Sequence, residues 1–168
     1  IGFNKSQDPR NVIEYCIVQD AGGGRMFSGY FDVGGVGVYE SKLSFTNSRI
    51  SNCKGYGFIV DDETELSEIT DFSNIIFKNL DERGIIAPPN NIHEFNNLDW
   101  DLTNSWTGIK GIGIKVRGII LNLGREVEWR WKGYVLTEGL RIYENTGLVV
   151  KKQSDLVQFV MGGQSQIY

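Results

Sequence analysis

The chain has 168 residues, 40% of them apolar, with 21 glycines and only 3 prolines, which predicts one packed domain of many short strands and turns and argues against disorder. A net charge of -4, with Lys and Arg scattered and Lys151-Lys152 the only basic dipeptide, excludes the basic stripe of a nucleic-acid-binding surface. No run of about 18 apolar residues is present, so no membrane span is expected.

In chain order, the sequence starts at Ile1 and not at Met, which reads as a processed or excised product and fits export. Its organising feature is a recurring string. A degenerate copy opens at Ile13-x-Tyr15-x-x-Val18-x-Asp20. The full form follows 32 residues on, as Phe45-x-Asn47-x-x-Ile50-x-Asn52, and again 27 residues later, as Phe72-x-Asn74-x-x-Phe77-x-Asn79. It returns after a further 23 residues as Phe95-x-Asn97-x-x-Trp100, with Leu102 in the last Asn slot. The last three copies are followed by glycine and apolar residues: Gly57-Phe58-Ile59-Val60, Gly84-Ile85-Ile86 and Gly108-Ile109.

The string has a physical reading. Leu43 and Phe45, two apart, share one strand face, whereas Phe45 and Ile50, five apart, would fall on opposite faces of an unbroken strand. A bend at Asn47 restores the phase and turns Ile50 inward; Asn suits it because it tolerates left-handed backbone and its amide can bond nearby backbone. A chain bending in this way about every 23 residues winds into stacked short strands with like residues on like. The unequal steps place insertions at 21–35 and 61–68, as external loops. The acidic stretch from Asp61 to Ile69 suits one short helical turn.

These Phe/Ile-x-Asn-x-x-Phe/Ile-x-Asn units, each followed by Gly-apolar, resemble the coils of pectate-lyase-like right-handed parallel β-helix proteins, over residues 11–110. Asn11-Val12-Ile13-Glu14-Tyr15-Cys16 is similar to one turn of the secreted bacterial members. The resemblance implies an all-β fold, a right-handed parallel β-helix of about four or more coils, in one domain spanning 1–168. It identifies architecture better than function, since that fold hosts pectin-degrading enzymes, other polysaccharide lyases and hydrolases, phage tailspikes and adhesins. Beyond residue 110 the Asn positions vanish. Ile112-x-Ile114-x-Val116, Leu140-x-Ile142 and Leu148-x-Val150 alternate like strands, with Trp129, Trp131 and Tyr134 between them. Residues 111–168 therefore read as a β-rich continuation or cap, similar to the Trp-rich stretch of large bacterial surface proteins. No polar cap marks the end, and open sheet edges invite self-association.

Chemistry is sparse. The single histidine, His93, follows Pro88-Pro89-Asn90-Asn91-Ile92 and reads as a turn residue, with no Gly-x-Ser-x-Gly anywhere to partner it. Gly22-Gly23-Gly24 and Gly34-Gly35-Val36-Gly37 lack the lysine and helix start of a phosphate loop. Cys16 and Cys53 read as separate buried thiols, with pairing as the alternative, and no zinc site can be built from them and His93. Asp61, Asp62, Glu63 and Glu65, with Glu68, are hard oxygen ligands of the kind calcium takes; the competing reading is a solvated loop. No other cofactor is called for. Glu14, Asp20 and Asp81 are carboxylates that neighbouring coils could bring together. Trp100 holds an inward repeat position, whereas Trp129 and Trp131 share one face and either stack on sugar rings or close the end of the solenoid.

Two functions follow. The first is a non-catalytic module of a secreted or cell-surface protein, binding glycan or another protein along the solenoid's side. The second is a polysaccharide lyase or glycoside hydrolase of the pectate-lyase-like type, for which no acid/base pair is visible.

Overall fold

A computed structural model describes residues 1–22, 24, 33–60, 66–98, 106–109, 114–117, 120–130, 133–136, 140–143, 145–151 and 158–161. The described residues form β1 (Gly2–Asn4), β2 (Val12–Glu14), β3 (Ile17–Gln19), β4 (Gly34–Tyr39), β5 (Lys42–Cys53), β6 (Tyr56–Val60), β7 (Glu68–Leu80) and β8 (Ile85–Ala87). A 3-10 helix (Pro89–Phe95) follows, and then β9 (Trp106–Ile109), β10 (Ile114–Val116), β11 (Ile120–Leu121), β12 (Glu126–Trp129), β13 (Gly133–Leu136), β14 (Arg141–Ile142), β15 (Gly147–Val150) and β16 (Gln158–Met161).

The protein is all-β, and its described strand pairs are parallel. One sheet runs β1-β4-β6-β8-β10-β13-β16; a second runs β2-β5-β7-β9, with β3 also on β5; β11-β14 and β12-β15 form two short sheets. Parallel neighbours need long connections. Here each connection is spent in another sheet: from β4 the chain crosses to β5, returns in β6, crosses to β7 and returns in β8. Farther on, β11 and β12 intervene between β10 and β13, and β14 and β15 between β13 and β16. β10, β13 and β16 thus extend the same long sheet that begins near the N-terminus.

The recurring string sets this register. Ile13 pairs with Phe45 and Phe45 with Phe72, while Val18 pairs with Ile50 and Ile50 with Phe77. The bend expected at Asn47 is left-handed, with φ 48°, and so are its equivalents Tyr15 at 52° and Asn74 at 52°, whereas Asn97 of the fourth copy is not. The last position of the string, which had no bend assigned, is left-handed too, with 56° at Asp20, 53° at Asn52 and 51° at Asn79. The bends stack as their side chains bond. Asn74 Nδ2 donates to Asn47 Oδ1 at 2.7 Å, and Asn47 Nδ2 to Glu14 Oε1 at 3.1 Å. Asn79 Nδ2 donates to Asn52 Oδ1 at 3.1 Å. Such side-chain bonds at a left-handed residue offset the conformational cost of that backbone region.

Inside, Phe45, Phe58, Phe72 and Phe95 form one aromatic cluster. Phe72 lies 5.8 Å from Phe45, 4.6 Å from Phe58 and 4.9 Å from Phe95, ring centre to ring centre. Val36, Val38, Val60, Ile85, Ile114 and Val116 close the core from the long sheet. Each such apolar side chain stabilises the fold by about 1.5–3 kcal/mol on burial. The packing leaves no room at Gly57, where a Cβ would stand 2.5 Å from the Phe77 ring.

Two expectations are corrected. Phe95 reaches the core, but from the 3-10 helix and not from a strand, and the residue paired with Phe77 is Trp106. Pro88 and Pro89 carry no amide hydrogen to continue a ladder, and Pro89 suits the first helical position, so the backbone leaves the strand while the apolar spacing persists. Trp100 and Leu102 lie outside the described residues. The short turn expected across Asp61 to Ile69 gives way to β7 at Glu68, with 61–65 likewise outside.

Candidate functional cleft

At one edge of the second sheet, the starts of β5 and β7, the 3-10 helix and the turn before β12 come together. Lys42 and Glu68, the first residues of β5 and β7, are register partners. The Lys42 amide donates to the Ser6 carbonyl at 2.9 Å and the Glu68 amide to the Ser41 carbonyl at 3.0 Å. At the next level the strand is missing, and the Asn91 side chain supplies the donor: its Nδ2 meets the Ser67 carbonyl at 2.9 Å. Two neighbouring amides do similar work on the other side of the helix. Asn90 Oδ1 accepts from the Asn122 amide at 2.9 Å. Asn96 Nδ2 donates to the Glu128 carbonyl at 2.7 Å, and its Oδ1 accepts from the Arg130 amide at 3.1 Å. Three asparagine side chains thus replace ladder bonds that a strand would have made.

Because the helix is not a strand, it leaves a cleft of about 550 Å³. The side chains that give it character are Gln7, Lys42, Glu68, His93, Glu94 and Arg125, with Leu66 and Leu123 as apolar contributors. Lys42 Nζ pairs with Glu68 Oε2 at 2.6 Å. Asn91 Nδ2 donates to Glu94 Oε2 at 3.0 Å. Gln7 Nε2 ties two carbonyls together, those of Glu40 at 2.6 Å and Leu66 at 3.0 Å.

Arg125 Nη2 lies 3.1 Å from His93 Nε2. A guanidinium can only donate, so Nε2 accepts and the neutral imidazole carries its proton on Nδ1. Burial, and then the charge of Arg125, hold the His93 pKa below its ordinary 6.5, against a smaller opposing pull from the Asn90 backbone. The ring is therefore neutral at physiological pH, and a turn residue in the sequence becomes an acceptor that orients an arginine.

The residues singled out in the sequence fare differently. Trp129 is fully buried at 0% exposure within the core cluster, so no face of its indole is open to a sugar. It sits at an inward position of β12, whose outward neighbour Glu128 bonds to Arg130 and Lys151. Trp131, Asp61, Asp62, Glu63 and Glu65 lie outside the described residues, and among the described residues no three metal-ligating side chains gather. Glu68 lines the cleft, paired to Lys42. Glu14 is engaged by Asn47, and Asp20 occupies a left-handed bend. Cys16 and Cys53 are both free thiols, and burial pushes the Cys53 thiol up. The large aromatics exposed among the described residues are Tyr15 and Tyr143, neither of which sequence reasoning had marked for binding. No described helix is long and apolar enough to cross a membrane.

No family model, no curated protein and no solved structure matches this chain.

Proposed function

We propose that this chain is a right-handed parallel β-helix module of a secreted or cell-surface protein, non-catalytic, which binds glycan or another protein along its side. The alternation of the chain between parallel sheets, with like residues in register, supports the architecture. The observation that carries the binding reading is the cleft. It draws together polar side chains from five separated parts of the chain, and it is of the size in which small ligands are held. Val12, Tyr15 and Ile17 are exposed together on β2, β3 and the bend between them, which supports self-association through that surface.

One observation favours the second reading, a polysaccharide lyase or glycoside hydrolase: Glu68 and Glu94 line the same cleft. The test is polysaccharide cleavage assayed with and without calcium. The module reading expects binding without turnover. Cleavage abolished by chelation would overturn it.

A further inference from the structure

The cleft presents its charges already matched. Lys42 is held by Glu68 at 2.6 Å, Arg125 rests on the neutral His93, and Glu94 accepts from Asn91. Its formal charges, Lys42 and Arg125 against Glu68 and Glu94, cancel within the lining. An anionic ligand would have to approach two carboxylates and compete with Glu68 for Lys42, and a cationic one would meet Lys42 and Arg125. A hydroxyl both donates and accepts, so it gains from a carboxylate on one side and a guanidinium, ammonium or amide on the other. The lining offers that combination twice, once at the strand starts (Glu68, Lys42) and once at the helix and the turn (Glu94, Arg125). Leu66, 55% exposed, and the partly buried Leu123 supply apolar contact for carbon-bound hydrogens, a contact that Trp129 cannot make from the core.

We infer that the cleft binds an uncharged saccharide unit, its neighbouring hydroxyls bridging carboxylate and cation at the two places named. This rests on the side-binding reading above and gives it a ligand class. Affinity for such a ligand depends only weakly on ionic strength, unlike affinity for a charged sugar.

The experiment is calorimetric titration of the intact chain with uncharged disaccharides (maltose, cellobiose, lactose, mannobiose) and with uronic-acid disaccharides, at low and high salt. The variants are Glu68→Gln, Arg125→Ala and, as a control on an exposed strand position away from the cleft, Lys78→Ala; circular dichroism verifies that each folds. The expected result is binding of at least one uncharged disaccharide, changing less than about twofold with salt. That binding weakens roughly tenfold or more in Glu68→Gln and Arg125→Ala, the loss of one charge-assisted hydrogen bond, and is unchanged in Lys78→Ala. If only uronic-acid sugars bind, losing affinity with salt and with Arg125→Ala, the ligand class is wrong while side binding of glycan stands. If no saccharide binds, the glycan reading falls and the inference with it. Uncharged-sugar binding indifferent to both cleft variants would overturn the site.

Discussion

Asn47 lies within β5, where β-propensity favours valine, yet its φ of 48° is one that a β-branched residue resists. The two rules give opposite orders for Asn47→Val and Asn47→Gly. Both variants lose the bonds to Asn74 and Glu14, which at this partly exposed edge amount to about 0.5 kcal/mol each, or about 1 kcal/mol together. Valine adds about 1–2 kcal/mol for the left-handed backbone. Glycine adds only about 0.5 kcal/mol, through the greater freedom of its unfolded chain. The expected losses are therefore about 2–3 kcal/mol for Val and about 1.5 kcal/mol for Gly. Urea unfolding followed by tryptophan fluorescence reads both. Ser44, in the same strand with no left-handed backbone, is the internal control, and there the order reverses, with Gly the worse substitution. If Asn47→Val proves as stable as Asn47→Gly, the bends are not what brings the apolar positions into phase.

Phe72→Ala removes the ring at the centre of the aromatic cluster, 0% exposed, and is expected to cost about 3–5 kcal/mol, against less than about 1 kcal/mol for Ile76→Ala at 39% exposure; paired denaturation curves check the contrast. His93, with a depressed folded pKa, makes the unfolded chain the stronger proton binder below pH 6.5. Stability is expected to fall as pH drops through 6.5 toward the folded value, and the fall is expected to be shallower in His93→Gln, as midpoints measured between pH 5 and 7.5 would reveal.

What could be read in advance follows from which interactions are periodic. Ile13, Phe45 and Phe72 were visible because side-chain identity, bend and ladder all repeat together there, so apolar spacing and backbone agree. At Phe95 they part. The apolar residue still fills the core, but two prolines deny the ladder its donors, and a motif written in side chains does not report that. The cleft was invisible for a related reason. Gln7, Lys42, Glu68, His93 and Arg125 share no string, and only the register of unequal steps makes them neighbours. Alternation alone does not say which face of an isolated strand is covered, so the sequence leaves Trp129 open between sugar stacking and closing the solenoid's end. The core cluster that covers Trp129 is assembled from residues far apart in the chain, Phe95, Leu98 and Leu140 among them.

The step from Ile114 to its partner Tyr134 is twenty residues, whereas the step from Gly2 to its partner Gly37 is thirty-five, yet both pairs lie in the same unbroken sheet. Rung spacing is thus decoupled from the length of chain between rungs. Peptide added between paired strands therefore need not change which residues pair. That makes the connections natural attachment points for epitopes or linkers.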